Sequence, residues 1–134
     1  MPLIANLLED IVSFYIAESL VTGYGVDAFA DTMPESPDAC VAVYEYLGLP
    51  PSPDADISTR SIQICVRNKS ANQARKNAVD LYNSINPTEQ RQDLTITRWA
   101  LVAPKQVPFK LKVDTQGRTY YAFNLEVTTY ADYN

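Results

Sequence analysis

The chain has 134 residues and a 46% hydrophobic share, enough for a single domain, residues 1–134, that buries roughly two-thirds or more of its unfolded surface without a metal or disulfide staple. It contains no histidine, which removes Ser-His-Asp and Cys-His catalysis, the usual general base and the commonest metal ligand together. Its net charge of −5 is unevenly laid out: residues 1–59 hold ten carboxylates and no Lys or Arg, residues 60–134 hold six carboxylates and all eleven basic residues, and the halves therefore carry −10 and +5.

Such a split marks either an interaction surface or an unfolded tail, and apolar, β-branched and aromatic runs in both halves argue against the tail. The N-terminus lacks a basic n-region and meets Glu9 and Asp10 early, so it does not read as a signal peptide. No apolar run approaches the roughly 18 residues of a membrane span, and no membrane partner is expected. Cys40 and Cys65 are too few for a zinc site without histidine and read as small buried hydrophobes.

In chain order, Leu3, Leu7, Ile11 and Phe14 recur at a helical period, with Ile4, Leu8 and Tyr15 widening the stripe. This predicts a first helix over about 3–21, with Gly23 able to take positive φ just beyond it. Val26 to Asp31 alternates as a short strand, and Met33-Pro-Glu-Ser-Pro-Asp38 ends it as a rigid turn, because two prolines cannot donate to a ladder. Cys40 to Tyr46 is β-rich with apolar residues on both parities.

Leu47 to Thr59 carries three prolines and is expected to leave the sheet as an exposed excursion. Ser61 to Arg67 resumes alternation, and a hairpin centred near Pro53 would bring Cys40 and Cys65 nearly opposite one another, with a disulfide allowed but not required. Ser70 and Gln73 have capping-box spacing, and the helix they open uses Ala74, Ala78, Leu81, Tyr82 and Ile85 as its inner stripe before Pro87. Strands are expected at Leu94–Ala103, Val107–Val113 and Thr119–Thr129, with Asp114-Thr-Gln-Gly117 turning between the last two. The order helix, three strands, helix, three strands predicts an α+β fold: two helices on one face of a mostly antiparallel sheet of about five to six strands.

Nothing in the chain points to catalysis. There is no Gly-rich phosphate loop, no G-x-S-x-G and no H-E-x-x-H; neither a cofactor nor a metal is expected. Asp54-Ala-Asp56 places two carboxylates on a proline-rich loop, but a hard cation needs six or more oxygens. Lys105, Lys110, Lys112 and Arg118 beside Phe109, Tyr120 and Tyr121 are the ingredients of a stacking platform for nucleic acid. A sequence pI of about 4.6 and the absence of a basic helix or RNP-type pattern oppose that reading.

The amphipathic first helix, Met33-Pro-Glu-Ser-Pro-Asp38 leading into Val41-Ala-Val-Tyr-Glu-Tyr46, Ile62-Gln-Ile-Cys-Val-Arg67 before a capped helix, and Asp114-Thr-Gln-Gly-Arg118 before an aromatic last strand together resemble the minor capsid or tail-terminator proteins of long-tailed bacteriophages. The resemblance covers nearly the whole chain, and the proline turn and the D-x-x-G-R hairpin carry most of it. It implies a non-enzymatic virion protein, made in the host bacterial cytoplasm. Such a protein is a subunit of a ring, usually of six, that caps the tail tube and offers a docking face for the head.

The implied partners are further copies of the chain, tail-tube and head-connector proteins, and DNA only as it passes through a lumen that is expected to be net negative. A ring needs two different, complementary patches on each subunit. The charge split supplies them if Glu45, Asp54 and Asp56 of one subunit approach Arg60, Lys110 and Lys112 of the next. Residues 33–38 and the loop holding Pro50, Pro51 and Pro53 are candidate partner contacts. The other readings are a neck or head-completion protein at the same joint, a cytosolic binding module and a carboxylate enzyme.

Overall fold

The computed structural model describes residues 7–48, 57–85, 91–93 and 99–130. Two helices, α1 (Leu7–Ala17) and α2 (Ala71–Ser84), pack against a sheet of seven strands: β1 (Ala28–Ala30), β2 (Cys40–Gly48), β3 (Ile57–Asn68), β4 (Arg91–Asp93), β5 (Trp99–Pro104), β6 (Phe109–Val113) and β7 (Thr119–Tyr130). The sheet runs β1-β2-β3-β7-β5-β4, and β6 also pairs with β7. Because β5 meets β7 at residues 125–128 and β6 meets it at 119–122, the two lie end to end along one edge of β7. The sheet is therefore six strands wide. All pairings are antiparallel except β1 with β2, and the α+β expectation stands.

Local chemistry explains where the elements stop. Helix α1 ends four residues before the expected position, and Gly23 does not cap it. Ser19, at φ 60°, takes the left-handed position instead, with Ser19 N–H donating to Ile16 O and Leu20 N–H to Tyr15 O, both at 3.0 Å; this is the paired closure that ends many helices. The expected residues 3–6 fall outside the described part. Strand β1 is shorter than its alternation suggested because Gly25 and Asp31, at φ 82° and 64°, turn the backbone on either side of it.

Helix α2 begins as half of the expected capping box. The Ser70 hydroxyl accepts from Gln73 N–H at 3.2 Å, but Gln73 Nε2 donates along the helix to Asn77 Oδ1 at 2.8 Å. Asn68 Oδ1 accepts the Ser70 N–H in its place, at 2.9 Å.

The β2–β3 hairpin pairs Cys40 with Arg67 and Gly48 with Arg60, with a bulge between Glu45 and Leu47. The excursion is thus narrower than expected: Leu47, Gly48 and Ile57–Thr59 are strand, and 49–56 lie outside the described residues. Cys65 stands opposite Ala42, two pairs along from Cys40, a diagonal relation whose usual spacing of about 7–8 Å exceeds disulfide reach. Both thiols are free and buried. Of the strand expected over 94–103, residues 99–103 belong to β5 and 94–98 lie outside the described residues; an additional short strand, β4, precedes it and pairs antiparallel with β5 from Arg91↔Leu101 to Asp93↔Trp99.

Period-two alternation sends Val41, Val43, Ile62, Ile64, Val66, Phe123, Leu125 and Val127 to one face, where they form a single core with Leu7, Ile11, Tyr15, Ala78 and Leu81 from the helices. Each large apolar side chain removed from water here stabilises the fold by roughly 1.5–3 kcal/mol. The Tyr82 ring meets Phe123 edge-on at 5.7 Å, and Ala74 and Ala78, fully buried, let α2 approach the sheet. Helix α1 lies over β1 and β2, α2 over β3 and β7. The opposite face carries small and polar residues, with Ala42, Cys65 and Ala122 buried and cross-strand pairs such as Thr59–Thr128 at 2.9 Å and Gln63–Asn124 at 3.3 Å.

Candidate functional site

At one end of the sheet, two buried arginines grip the proline turn. Arg67, 2% exposed, ends β3 and reaches under residues 34–38: its Nη2 donates to Pro34 O and Pro37 O, both at 2.6 Å, and its Nε to Asp38 O at 3.1 Å. The guanidinium also lies over the Tyr120 ring, 5.9 Å from its centre. Arg118, 3% exposed, donates from Nη1 to Glu35 O at 2.6 Å and from Nε to Asp114 Oδ2 at 2.8 Å, with Asp38 Oδ1 at 3.4 Å. A planar fork with five donors suits several converging acceptors, which a lysine cannot match.

Asp114 completes this cluster. Its Oδ1 accepts from the N–H groups of Gln116 and Arg118, and its Oδ2 from Tyr120 O–H at 3.0 Å as well as from the arginine. Partial burial by itself would push its carboxyl upward; the hydrogen bonds from Arg118, Tyr120 and Gln116 outweigh this and hold it down at about 2. Gly117, at φ 78°, permits the tight turn that brings Arg118 back beside Asp114.

The proline turn and the D-x-x-G-R hairpin, 80 or so residues apart, thus touch directly. Alternation along β3 and the basic count near residue 118 gave no sign that Arg67 and Arg118 are buried; the D-x-x-G-R spacing was the available signal.

The sheet order also converts the linear charge split into a spatial one. α1, β1 and β2, which contain no Lys or Arg, occupy one flank, and β4 to β7 occupy the other. Part of the split is neutralised within the chain: Glu35 and Asp38 meet Arg118, and Asp38 also meets Lys69 at 3.4 Å. Glu45 and Arg60, expected on facing subunits, form an ion pair inside one chain at 3.5 Å. Lys105 pairs with Glu126 at 2.8 Å.

Lys110 and Lys112 are separated by a bulge at Leu111, which sets them opposite Tyr121 and Tyr120 respectively. They therefore face opposite sides of the sheet, and Lys112 Nζ sits 4.7 Å above the Tyr120 ring. With Arg118 buried and Lys105 paired, these cations do not form one basic groove. Pro50, Pro51, Pro53, Asp54 and Asp56 lie outside the described residues.

Among the described residues no three His, Cys, Asp or Glu side chains gather in a way that would hold a metal ion. Burial raises both thiols, Cys65 to about 11 with a further push from Cys40, so they remain protonated and unreactive near neutral pH. No described helix is long and apolar enough to cross a membrane.

In this two-layer α+β domain the two buried arginines fix the shape of a surface turn. A family model described as bacteriophage tail terminator protein matches residues 15–131, and the chain belongs to that family. It is a structural protein of the phage tail and a component of the virion. No curated protein matches the chain.

Proposed function

We propose that this chain is a non-enzymatic subunit of a ring, of six copies, that caps the tail tube and joins it to the head. The observation that carries the reading is the placement of the acidic segment α1-β1-β2 and the basic segment β4–β7 on opposite flanks of one sheet. A closed ring needs two unlike, complementary surfaces on each subunit, and opposite charge on the two flanks favours one register of neighbours over others. The clamped 33–38 turn, with Glu35, Ser36 and Pro37 exposed, is a pre-shaped surface for the tail tube or head connector. The net negative chain lines a lumen through which DNA passes without sticking.

Sedimentation and native mass measurement across salt concentrations test this. Rings at low ionic strength that come apart as salt rises are expected, because exposed charges are screened within about 10 Å at 0.1 M. An unchanged balance of monomer and ring would remove charge as the selector. A chain that stays monomeric at every salt and protein concentration would remove the ring itself.

A further inference from the structure

Among the described residues, the large apolar side chains that stand out into solvent all lie at the two edges of the sheet. Tyr24 and Val26, 51% and 58% exposed, flank β1; Val107, Leu111 and Val113, 65%, 44% and 51% exposed, precede or lie on β6. The two edges are built differently. Strand β6 pairs only with β7 among the described residues, leaving its other side as an open strand edge. An open apolar edge is a hazard unless something covers it.

The outer side of β1, by contrast, is closed by its own preceding loop, where Gly25 N–H donates to Ala28 O at 2.9 Å and Tyr24 bridges Ala28. A strand cannot simply be added there, so the contact it offers is one of side chains.

On the helix side of the sheet, next to β1, lies an open depression of about 390 Å³. Leu8 and Ala30 give it an apolar floor, and Tyr24, Glu9, Asp31 and Glu45 line it, with Arg60 held against Glu45. The Leu111 bulge turns Lys110 and Val113 toward that same side of the sheet at the opposite edge, in register with Tyr121 and Thr119. One edge therefore presents a projecting apolar strand with a lysine, and the other a mostly polar hollow that is richer in carboxylates than in cations and is rimmed by the exposed Tyr24 ring.

We infer that the β6 edge of one copy seats in the β1-side depression of the next, with Leu111 and Val113 against Tyr24 and Lys110 facing Asp31. This rests on the ring reading and says which surfaces close the ring. The two patches are unlike and sit at opposite edges, so the contact repeats from copy to copy in one direction, as a cyclic assembly requires.

Charge reversal on the full chain tests the inference by native mass and sedimentation. Lys110→Glu and Asp31→Lys should each raise the concentration at which rings dissociate by tenfold or more. An equimolar mixture of the two should regain rings, because Lys110–Asp31 contacts then alternate with their reversed counterparts. Leu111→Ser should weaken rings without touching charge. Asp31→Asn, which suits the left-handed backbone at that position, should do so with the turn intact.

Rings of wild-type stability in Lys110→Glu, Asp31→Asn and Leu111→Ser would overturn the edge contact while leaving the ring in place. A wild-type chain that forms no rings would overturn the ring reading itself.

Discussion

The two charged regions of this domain use the same residue types to opposite ends. At the clamped end, Arg67 and Arg118 are almost wholly out of water and direct their donors at backbone carbonyls and at the carboxylates of Asp114 and Asp38, so each hydrogen bond fixes the path of the chain. At the β1 edge, Glu45 and Arg60 meet at 3.5 Å with side chains 43% and 22% exposed. Water and salt screen that pair, and its two long side chains lose entropy in holding one geometry. Charge shapes the fold at the first and is available to partners at the second.

The contrast is broken most severely at Arg67. Arg67→Ala leaves the carbonyls of Pro34, Pro37 and Asp38 without their buried donor, and a loss of about 3 kcal/mol is expected from hydrogen bonds to a charged group; chemical denaturation measures it. A smaller effect of about 1–2 kcal/mol is expected for Arg67→Lys, which keeps the charge but replaces the planar fork with a single ammonium. Equal stability of these two variants would show that charge, and not fork geometry, holds the turn.

Acid should weaken the clamp. Asp114 is held at about 2, below its ordinary value of 3.8, so its contribution is present above the ordinary carboxylate pKa and is lost as pH falls from about 5 toward 2. The stability difference between wild type and Asp114→Asn, measured by denaturation at several pH values, should shrink over that window. A difference independent of pH would mean that the carboxylate is not linked to folding. The smallest effect belongs to the exposed ion pair near the β1 edge: Glu45→Ala should change monomer stability by no more than about 0.5 kcal/mol, read from the denaturation midpoint.

Tyr15 shows how far packing alone can override a polar group. Its hydroxyl is buried without a hydrogen-bond partner among the described residues, and burial pushes its pKa strongly upward, so the ring contributes through the apolar area it fills. The helical period at Leu7, Ile11 and Tyr15 was enough to place that ring inward, because position on an amphipathic stripe depends on spacing and not on what the side-chain tip can bond to.

Periodicity determined much of this protein in advance. The α2 stripe at Ala74, Ala78 and Leu81, the β3 and β7 alternations and the α+β class all follow from side-chain spacing, which local backbone geometry sets. Turn chemistry placed Gly117 and the proline turn for the same reason. Only the tertiary structure decided what depends on residues distant in the chain. It chose Ser19 over Gly23 to end α1 and added the short strand β4 beside β5. It also sent Lys110 and Lys112 to opposite faces through one bulged residue, and brought Arg67 and Arg118 under residues 34–38.

The −10 and +5 halves were legible in the sequence; which of those charges would be consumed inside the fold was not. A charge carries no local pattern that distinguishes burial from exposure. Its role is fixed when the β2–β3–β7 ladder brings distant acceptors within hydrogen-bond reach of it, leaving the remaining charges on the two flanks.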